Sequence, residues 1–119
     1  MANLDRKVFF TLQKISEGEF GLKRRDGFTL EYKGICFYVH EGDNDRVVFT
    51  DSSTGVSIST LDVKGCMGSL KGVDKAIAVF KNSLDNGLLE NLKAWSKTPK
   101  YANLKKAYKM MLEVSSLID

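Results

Sequence analysis

Histidine, proline and tryptophan each occur once in this 119-residue sequence, and cysteine occurs twice. Structural zinc sites use four cysteine or histidine ligands, and the sequence has no Cys-x-x-Cys motif and no histidine pair. Cys36 and Cys66 do not make a disulfide framework and are expected to be free thiols. A single proline excludes a proline-rich linker. The sequence therefore predicts no bound metal and no cofactor.

Long apolar segments are also missing. No run approaches the ~18 residues that a membrane-spanning helix needs, and no apolar signal core precedes the charges of Asp5, Arg6 and Lys7. With 43% hydrophobic and 28% charged residues, the composition is that of a folded domain rather than a disordered chain. We expect one cytoplasmic α+β domain spanning residues 1–119, with no membrane partner.

The central part of the sequence, about residues 19–61, reads as an antiparallel β-meander of four to five strands. Short segments of alternating apolar and polar residues are separated by turn-forming clusters, as in sequential hairpins. The Asp26-Gly27 pair predicts a tight turn between the first two segments. Alternation predicts a core face with Ile35, Phe37, Val39, Val47, Phe49, Val56 and Ile58. The same pattern predicts an opposite face with Tyr38, His40, Thr50, Ser57 and Ser59.

Residues 3–16 carry two conflicting patterns. Leu4, Val8, Leu12 and Ile15 follow helical spacing, with Asn3 as an N-cap. The Val-Phe-Phe-Thr segment instead alternates and has high strand propensity. We interpret the segment as an N-terminal helix, with a strand as the alternative.

The helical part covers about residues 72–118. Val73, Ala76, Ile77, Phe80 and Leu84 form one helical face that packs on the sheet. Asp85-Asn86-Gly87 predicts the end of that helix, and Thr98-Pro99 predicts a restart. The last helix has a seam at Tyr101, Leu104, Tyr108, Met111, Ser115 and Ile118. This seam predicts packing within the domain, with a homodimer through the C-terminal helix as the alternative.

Catalytic chemistry finds no support in the sequence. Cys36 and His40 share a strand face but lie ~13 Å apart along the strand, too far for a nucleophile–base pair. His40 is expected at the surface, and the Asp43-Asn44-Asp45 turn does not continue into a calcium loop. We therefore predict that the protein is not an enzyme and has no catalytic residues.

Charge is distributed unevenly along the chain. From residue 91 onward there are six lysines against Glu113 and Asp119, whereas residues 1–90 hold twelve basic and thirteen acidic residues. Lysines neutralise phosphates, and interleaved aromatic rings can stack on bases. A nucleic-acid-binding regulator is therefore one hypothesis. Its candidate residues are Lys93, Lys97, Lys100, Lys105, Lys106 and Lys109, together with Lys23, Arg24 and Arg25. Trp95, Tyr101 and Tyr108 fall on apolar stripes, which favours core packing for the three rings.

The glycine-rich segment 65–72 precedes a helix N-terminus, where backbone amides can hold an anion. A small-ligand or anion-binding site there is a further alternative, although the phosphate-loop order of glycine, lysine and hydroxyl is absent.

Two motifs of the meander resemble small proteins of phages and mobile elements, and HicB-like or double-stranded-RNA-binding-like β-β-β-α folds. The motifs are Tyr32-Lys33-Gly34 with Phe37-Tyr38-Val39, and the turn Thr50-Asp51-Ser52-Ser53-Thr54-Gly55. The resemblance covers about residues 28–84 and implies a non-enzymatic, phage-derived binding protein that regulates or inhibits a host protein or protein–nucleic-acid complex. This is the leading hypothesis. The open sheet face, with Tyr38, His40, Thr50, Ser57 and Ser59, is the predicted partner-binding surface.

Overall fold

The structure, a computed structural model, has an α+β fold with a five-stranded antiparallel sheet. It describes residues 5–17, 19–42, 46–62 and 70–118, and leaves out the side chains of residues 5, 14, 15, 20, 70–72 and 115–118. The strands follow sequence order across the sheet. They are β1 (Asp5–Ser16), β2 (Glu19–Tyr32), β3 (Ile35–Gly42), β4 (Arg46–Asp51) and β5 (Ser57–Asp62). The predicted antiparallel meander and fold class are confirmed.

The N-terminal segment is a strand, so the helix interpretation is wrong. β1 pairs antiparallel with β2 from Asp5↔Thr29 to Ser16↔Glu19. Phe9 and Thr11 are buried, whereas Val8 of the proposed helical stripe is 44% exposed. The alternating strand pattern prevails over the helical spacing here because the 14-residue β2 offers a hydrogen-bonding partner along the whole segment.

The predicted turn at Asp26-Gly27 is also wrong, since β2 runs straight through it. Lys7 of β1 lies opposite Gly27, so the glycine sits inside a paired strand. A Cβ on Gly27 would collide with the carbonyl oxygen of Val39 and lie 3.1 Å from a ring carbon of Phe9. Close packing, not turn geometry, therefore requires this glycine. The tight hairpin turn lies at Lys33 and Gly34, whose φ angles of 50° and 84° are both positive, as a type I′ turn needs.

One face of the sheet and the first helix form the main core. The helix α1 (Leu70–Ser83) inserts Phe80, which stacks on Phe49 at 4.0 Å between ring centroids and meets Phe37 edge-on at 5.0 Å. All five residues of the predicted helical face are buried, as are Phe37, Val39, Val47 and Phe49 of the predicted sheet core. Ile35 and Ile58 are partly buried against this cluster, and Val56 is half-buried.

The helices after α1 follow in close succession. The predicted helix end is confirmed: α1 ends at Ser83, and Asn86 and Gly87 have non-helical backbone angles, with φ 122° at Gly87, in a kink at Leu84–Leu88. Helix α2 (Leu89–Ser96) follows at once. The predicted restart is confirmed: α3 (Pro99–Ile118) begins after Thr98, whose side-chain oxygen accepts a hydrogen bond from the Tyr101 amide at 3.2 Å.

The sheet curls away from α1 until β1 meets the turn that follows β4. The Leu12 amide donates to the Gly55 carbonyl at 2.9 Å, and the Tyr108 hydroxyl of α3 donates to the Phe10 carbonyl at 2.5 Å. In a flat sheet three inter-strand spacings of ~4.8 Å would separate β1 from β4. The curl therefore brings side chains of β1, β3 and α3 together on the second face.

Candidate functional site

The helical corner between α2 and α3 carries two aromatic side chains outside the core. Trp95 and Tyr101 meet edge-to-face with ring centroids 4.7 Å apart, and both are only half-buried. The corner itself is fixed by Thr98, whose hydroxyl donates to the Trp95 carbonyl at 2.7 Å. The sequence favoured core packing for Trp95, Tyr101 and Tyr108. Of these three rings, only Tyr108 is buried.

A cleft of about 320 Å³ opens between this corner and the ends of the sheet strands. We call it the corner cleft. Its lining combines the two aromatic rings with hydroxyl, thiol and ammonium groups: Cys36, Ser52, Ser53, Lys93, Trp95, Ser96 and Tyr101, with Gly34, Ile35, Phe37, Asp51 and Leu92. Apolar walls with a few polar groups are typical of ligand-binding clefts.

Asp51 at the base of the corner cleft has a structural role. Its carboxylate accepts a hydrogen bond from the Thr54 hydroxyl at 2.8 Å and from the Ser53 amide at 3.3 Å. The Gly55 amide donates to its carbonyl at 2.8 Å. These bonds build the turn between β4 and β5, as Asp and Thr commonly do. The carboxylate is therefore engaged in holding the wall of the cleft.

Lys93 lines the corner cleft, and further lysines follow at the corner and along α3. The six lysines from Lys93 to Lys109 are all exposed. None of them forms an ion pair with any residue that the structure describes. An unpaired, exposed row of ammonium groups attracts phosphates or carboxylates. Of the predicted nucleic-acid residues, this corner gathers Lys97 and Lys100, with Lys105, Lys106 and Lys109 following on α3.

A second group of cations lies on the curled sheet face. Cross-strand pairing puts Lys7, Lys23 and Arg25 on one side of the β1–β2 ladder. Lys7 extends its ammonium group to 5.7 Å from the centre of the Tyr38 ring. We call Lys7, Lys23, Arg25 and Tyr38 the basic sheet face. Arg24, also predicted as a nucleic-acid contact, pairs with Phe10 and points to the other side.

The Phe9 ring fills the centre of this face. It crosses the space that a side chain at Gly27 would occupy and stacks on Tyr38 with centroids 4.3 Å apart. It also meets the His40 ring edge-on at 5.9 Å. The ring thereby covers His40 from solvent.

His40 is buried, so its expected place at the surface is wrong. Only 5% of the residue is exposed, and Thr50 is fully buried on the same face. Among the residues that the structure describes, neither the Nδ1 atom of His40 nor the hydroxyl of Thr50 has a hydrogen-bond partner. Burial, with Arg25 and Lys23 nearby, lowers the pKa of His40 to about 4, so the ring is neutral at physiological pH.

The five residues of the predicted partner-binding surface therefore have different exposures. His40 lies under Phe9 of β1, Thr50 is fully buried, Tyr38 and Ser59 are half-buried, and Ser57 is exposed. Ser59 pairs with Phe49 of the core, so it lies on the core side of the sheet and its predicted place on the open face is wrong. Direct contact with a partner is open to Tyr38 and Ser57, and their role stays a prediction.

The glycine-rich segment falls largely outside the described residues. Residues 63–69, including Cys66, are not described, and neither are the side chains of 70–72. Elsewhere, in the part of the chain that the structure describes, no three His, Cys, Asp or Glu side chains are grouped to hold a metal ion. None of the described helices combines the length and apolar composition needed to cross a bilayer.

Phe9 and Lys7 were missed by the sequence reasoning because the helix interpretation separated them from the sheet. The alternating Val-Phe-Phe-Thr pattern was the available signal for both. No protein-family model, no characterised protein and no solved structure matches the chain. The resemblance to HicB-like and phage proteins accordingly remains a prediction, and function is inferred from the chemistry of the two surfaces.

Proposed function

We propose that the protein binds single-stranded nucleic acid at the corner cleft and acts as a nucleic-acid-binding regulator. The observation that supports this most strongly is the half-exposed Trp95–Tyr101 pair beside exposed lysines that form no ion pair with any described residue. Lysines neutralise backbone phosphates without regard to sequence, and aromatic rings stack on any base. A single strand suits the site because its bases are free to enter a cleft.

The roles of the residues follow from their positions. Lys93 lines the cleft beside Trp95, and Lys97 and Lys100 lie on the exposed side of the same corner. These three lysines contact the phosphates that flank the bound base. The indole of Trp95 provides the stacking surface, and the hydroxyls of Ser52 and Ser53 offer hydrogen bonds to the base edge.

Trp95 is the only tryptophan in the chain, so its fluorescence reports on the helical corner, where its ring lines the corner cleft and a neighbouring groove with Lys100. Titration with a thymidine homopolymer at low salt is expected to quench that fluorescence. Trp95→Leu is expected to weaken binding by about 1–3 kcal/mol, whereas Trp95→Phe retains part of the stacking. An unchanged Trp95 signal, together with no retention on single-stranded DNA at about 50 mM salt, would refute the proposal.

The lysines are tested through salt dependence. Replacing Lys93, Lys97 and Lys100 together by glutamine is expected to reduce the slope of log K against log salt by about 2, or ~0.7 for each phosphate contact. The matched control is Lys75→Gln, an exposed lysine of α1 distant in sequence from the corner. An equal slope for the triple variant and the control would contradict the assigned phosphate contacts.

Protein binding is the second candidate function, in line with the leading sequence-based hypothesis of a host-directed regulator. It is favoured by the C-terminal half of α3, where Met110 and Val114 are 57% and 55% exposed. They line a groove of about 380 Å³ with Gly21, Leu22 and Met111. Exposed apolar side chains of this kind mark interaction surfaces.

Affinity capture from nuclease-treated host lysate separates the two candidates. A protein partner that binds through α3 survives nuclease treatment and is lost with Met110→Gln/Val114→Thr. Capture that disappears with nuclease instead points to a nucleic-acid bridge. Analytical ultracentrifugation of the same variants tests the homodimer alternative.

A further inference from the structure

The basic sheet face is a separate cluster of positive charge that the corner cleft does not use. Arg25 lies opposite Phe9 and Lys23 opposite Thr11 in the β1–β2 ladder, and Lys7 follows two residues before Phe9 on the same side. No carboxylate within the described residues forms an ion pair with any of the three. Three cations are thus gathered on one surface, and none of them is paired with a described carboxylate.

Arg25 is positioned for an anion. Its Nε donates to the buried Thr11 hydroxyl at 3.4 Å, a bond that orients the guanidinium group. Within the described part of the chain no hydrogen bond engages its two terminal amino groups. A guanidinium oriented through Nε can present these groups side by side to two oxygens of a phosphate.

The buried polar groups below this surface are the second observation. Only 5% of His40 is exposed. Within the described part of the chain, its Nδ1 atom and the Thr50 hydroxyl both lack a hydrogen-bond partner. A buried polar atom without a partner is uncommon and calls for a functional or structural explanation. Of the two residues, His40 lies under the Phe9 ring, and the three cations flank Phe9 on the same side of the β1–β2 ladder.

We propose that the basic sheet face binds a phosphate group of the same nucleic-acid strand, through Lys7, Lys23 and Arg25 above the buried His40. This inference rests on the proposed function and adds a second contact surface to it. Lys7 leaves the Tyr38 ring to join the phosphate, and the exposed side of Tyr38 becomes available to the sugar or base of that nucleotide.

Electrostatics makes His40 a reporter of this event. The charged groups that act on it are Arg25 and Lys23 of β2, and Lys7 of β1 lies on the same side of the sheet. The pKa of His40 is lowered by burial first and then by the charges of Arg25 and Lys23. A bound phosphate offsets those two charges, so the pKa of His40 rises when the face is occupied.

The test is an NMR titration of the ring protons of His40, which is the only histidine in the chain. The pKa of His40 is measured in the free protein, with a thymidine homopolymer and with inorganic phosphate; thymine is used because it does not titrate in the acidic range. Binding of the homopolymer is expected to raise the pKa by about one unit. In the Lys23→Gln/Arg25→Gln variant the pKa is already raised in the free protein and no longer responds. Arg24→Gln, on the opposite side of the same strand, responds as the unmodified protein does.

Trp95 fluorescence, recorded on the same samples, separates this inference from the proposed function. Responses of both His40 and Trp95 to the homopolymer support both. A Trp95 response with an unchanged His40 pKa overturns the sheet-face site and leaves the corner cleft in place. A His40 response to inorganic phosphate but not to the homopolymer shows a site for free phosphate and overturns the inference. The wild-type titration decides between these outcomes even if the double variant does not fold.

Discussion

Acidification should destabilise this protein through His40 well above the range where carboxylates titrate. The unfolded chain has an ordinary histidine pKa near 6.5, whereas in the folded protein the value is about 4. As pH falls, the unfolded state takes up the proton first, so stability is complete above about pH 7 and decreases through this window. Each pKa unit corresponds to about 1.4 kcal/mol. The free energy of unfolding should therefore fall by about 1.4 kcal/mol at pH ~5.5 and about 2.5 kcal/mol at pH ~4.5.

The assay compares the wild-type protein with His40→Leu by urea unfolding at pH ~7 and pH ~4.5. Leucine has a similar volume, does not titrate and removes the orphaned Nδ1, so the variant should keep its stability at neutral pH to within about 1 kcal/mol. Carboxylates such as Asp85, whose pKa is lowered by its hydrogen bond from Lys33, titrate in both proteins and cancel in the comparison. The wild type should lose about 2.5 kcal/mol more than the variant on acidification. Equal losses would refute the assignment of a depressed pKa to a buried His40.

Three substitutions test the packing that supports the two surfaces. Phe80→Ala should lower the free energy of unfolding, measured in urea, by about 3–5 kcal/mol because it removes a fully buried ring. Val79→Ala, at an exposed neighbouring position, should change it by no more than about 0.5 kcal/mol. Similar costs for the two variants would refute the core assignment. Gly27→Ala should lower the free energy of unfolding by about 1–3 kcal/mol because it overpacks the strands. Gly34→Asn should lower it by less than about 1 kcal/mol because asparagine tolerates positive φ. A neutral Gly27→Ala would contradict the close approach of the strands. Tyr108→Phe should lower the thermal midpoint by an amount corresponding to about 1–2 kcal/mol, since it leaves a β1 carbonyl without its donor, and an unchanged midpoint would show that this carbonyl is satisfied otherwise.

The parts of the fold that sequence predicted are those where one local pattern has no competitor. Phe37, Val39, Val47 and Phe49 alternate without interruption, and the face from Val73 to Leu84 has a regular helical period; all of these are buried as expected. Thr98-Pro99 similarly combines a capping side chain with a proline at the first helical position, and the helix begins there.

The failures occur where a distant partner decides between two local preferences. Asp26-Gly27 has the chemistry of a tight turn, yet β1 pairs across it and keeps the strand straight. His40 has the alternation of a surface residue, yet Phe9 from a non-adjacent strand covers it. Trp95 lies on an apolar stripe, yet it is only half-buried because the corner that follows it opens into a cleft. Local periodicity contains no information on these long-range contacts.

The choice of strand over helix for residues 5–16 determines most of what is functionally relevant in the molecule. As a strand, β1 puts Lys7 on the same side as Lys23 and Arg25 and lays Phe9 over Gly27 onto Tyr38. The same placement buries His40, whose lowered pKa is therefore a consequence of β1 docking. Leu12 and Phe10 are also the residues that bond to Gly55 and to Tyr108 of α3. The strand that creates the basic sheet face is therefore tied to α3, the helix that carries Lys100, Lys105, Lys106 and Lys109.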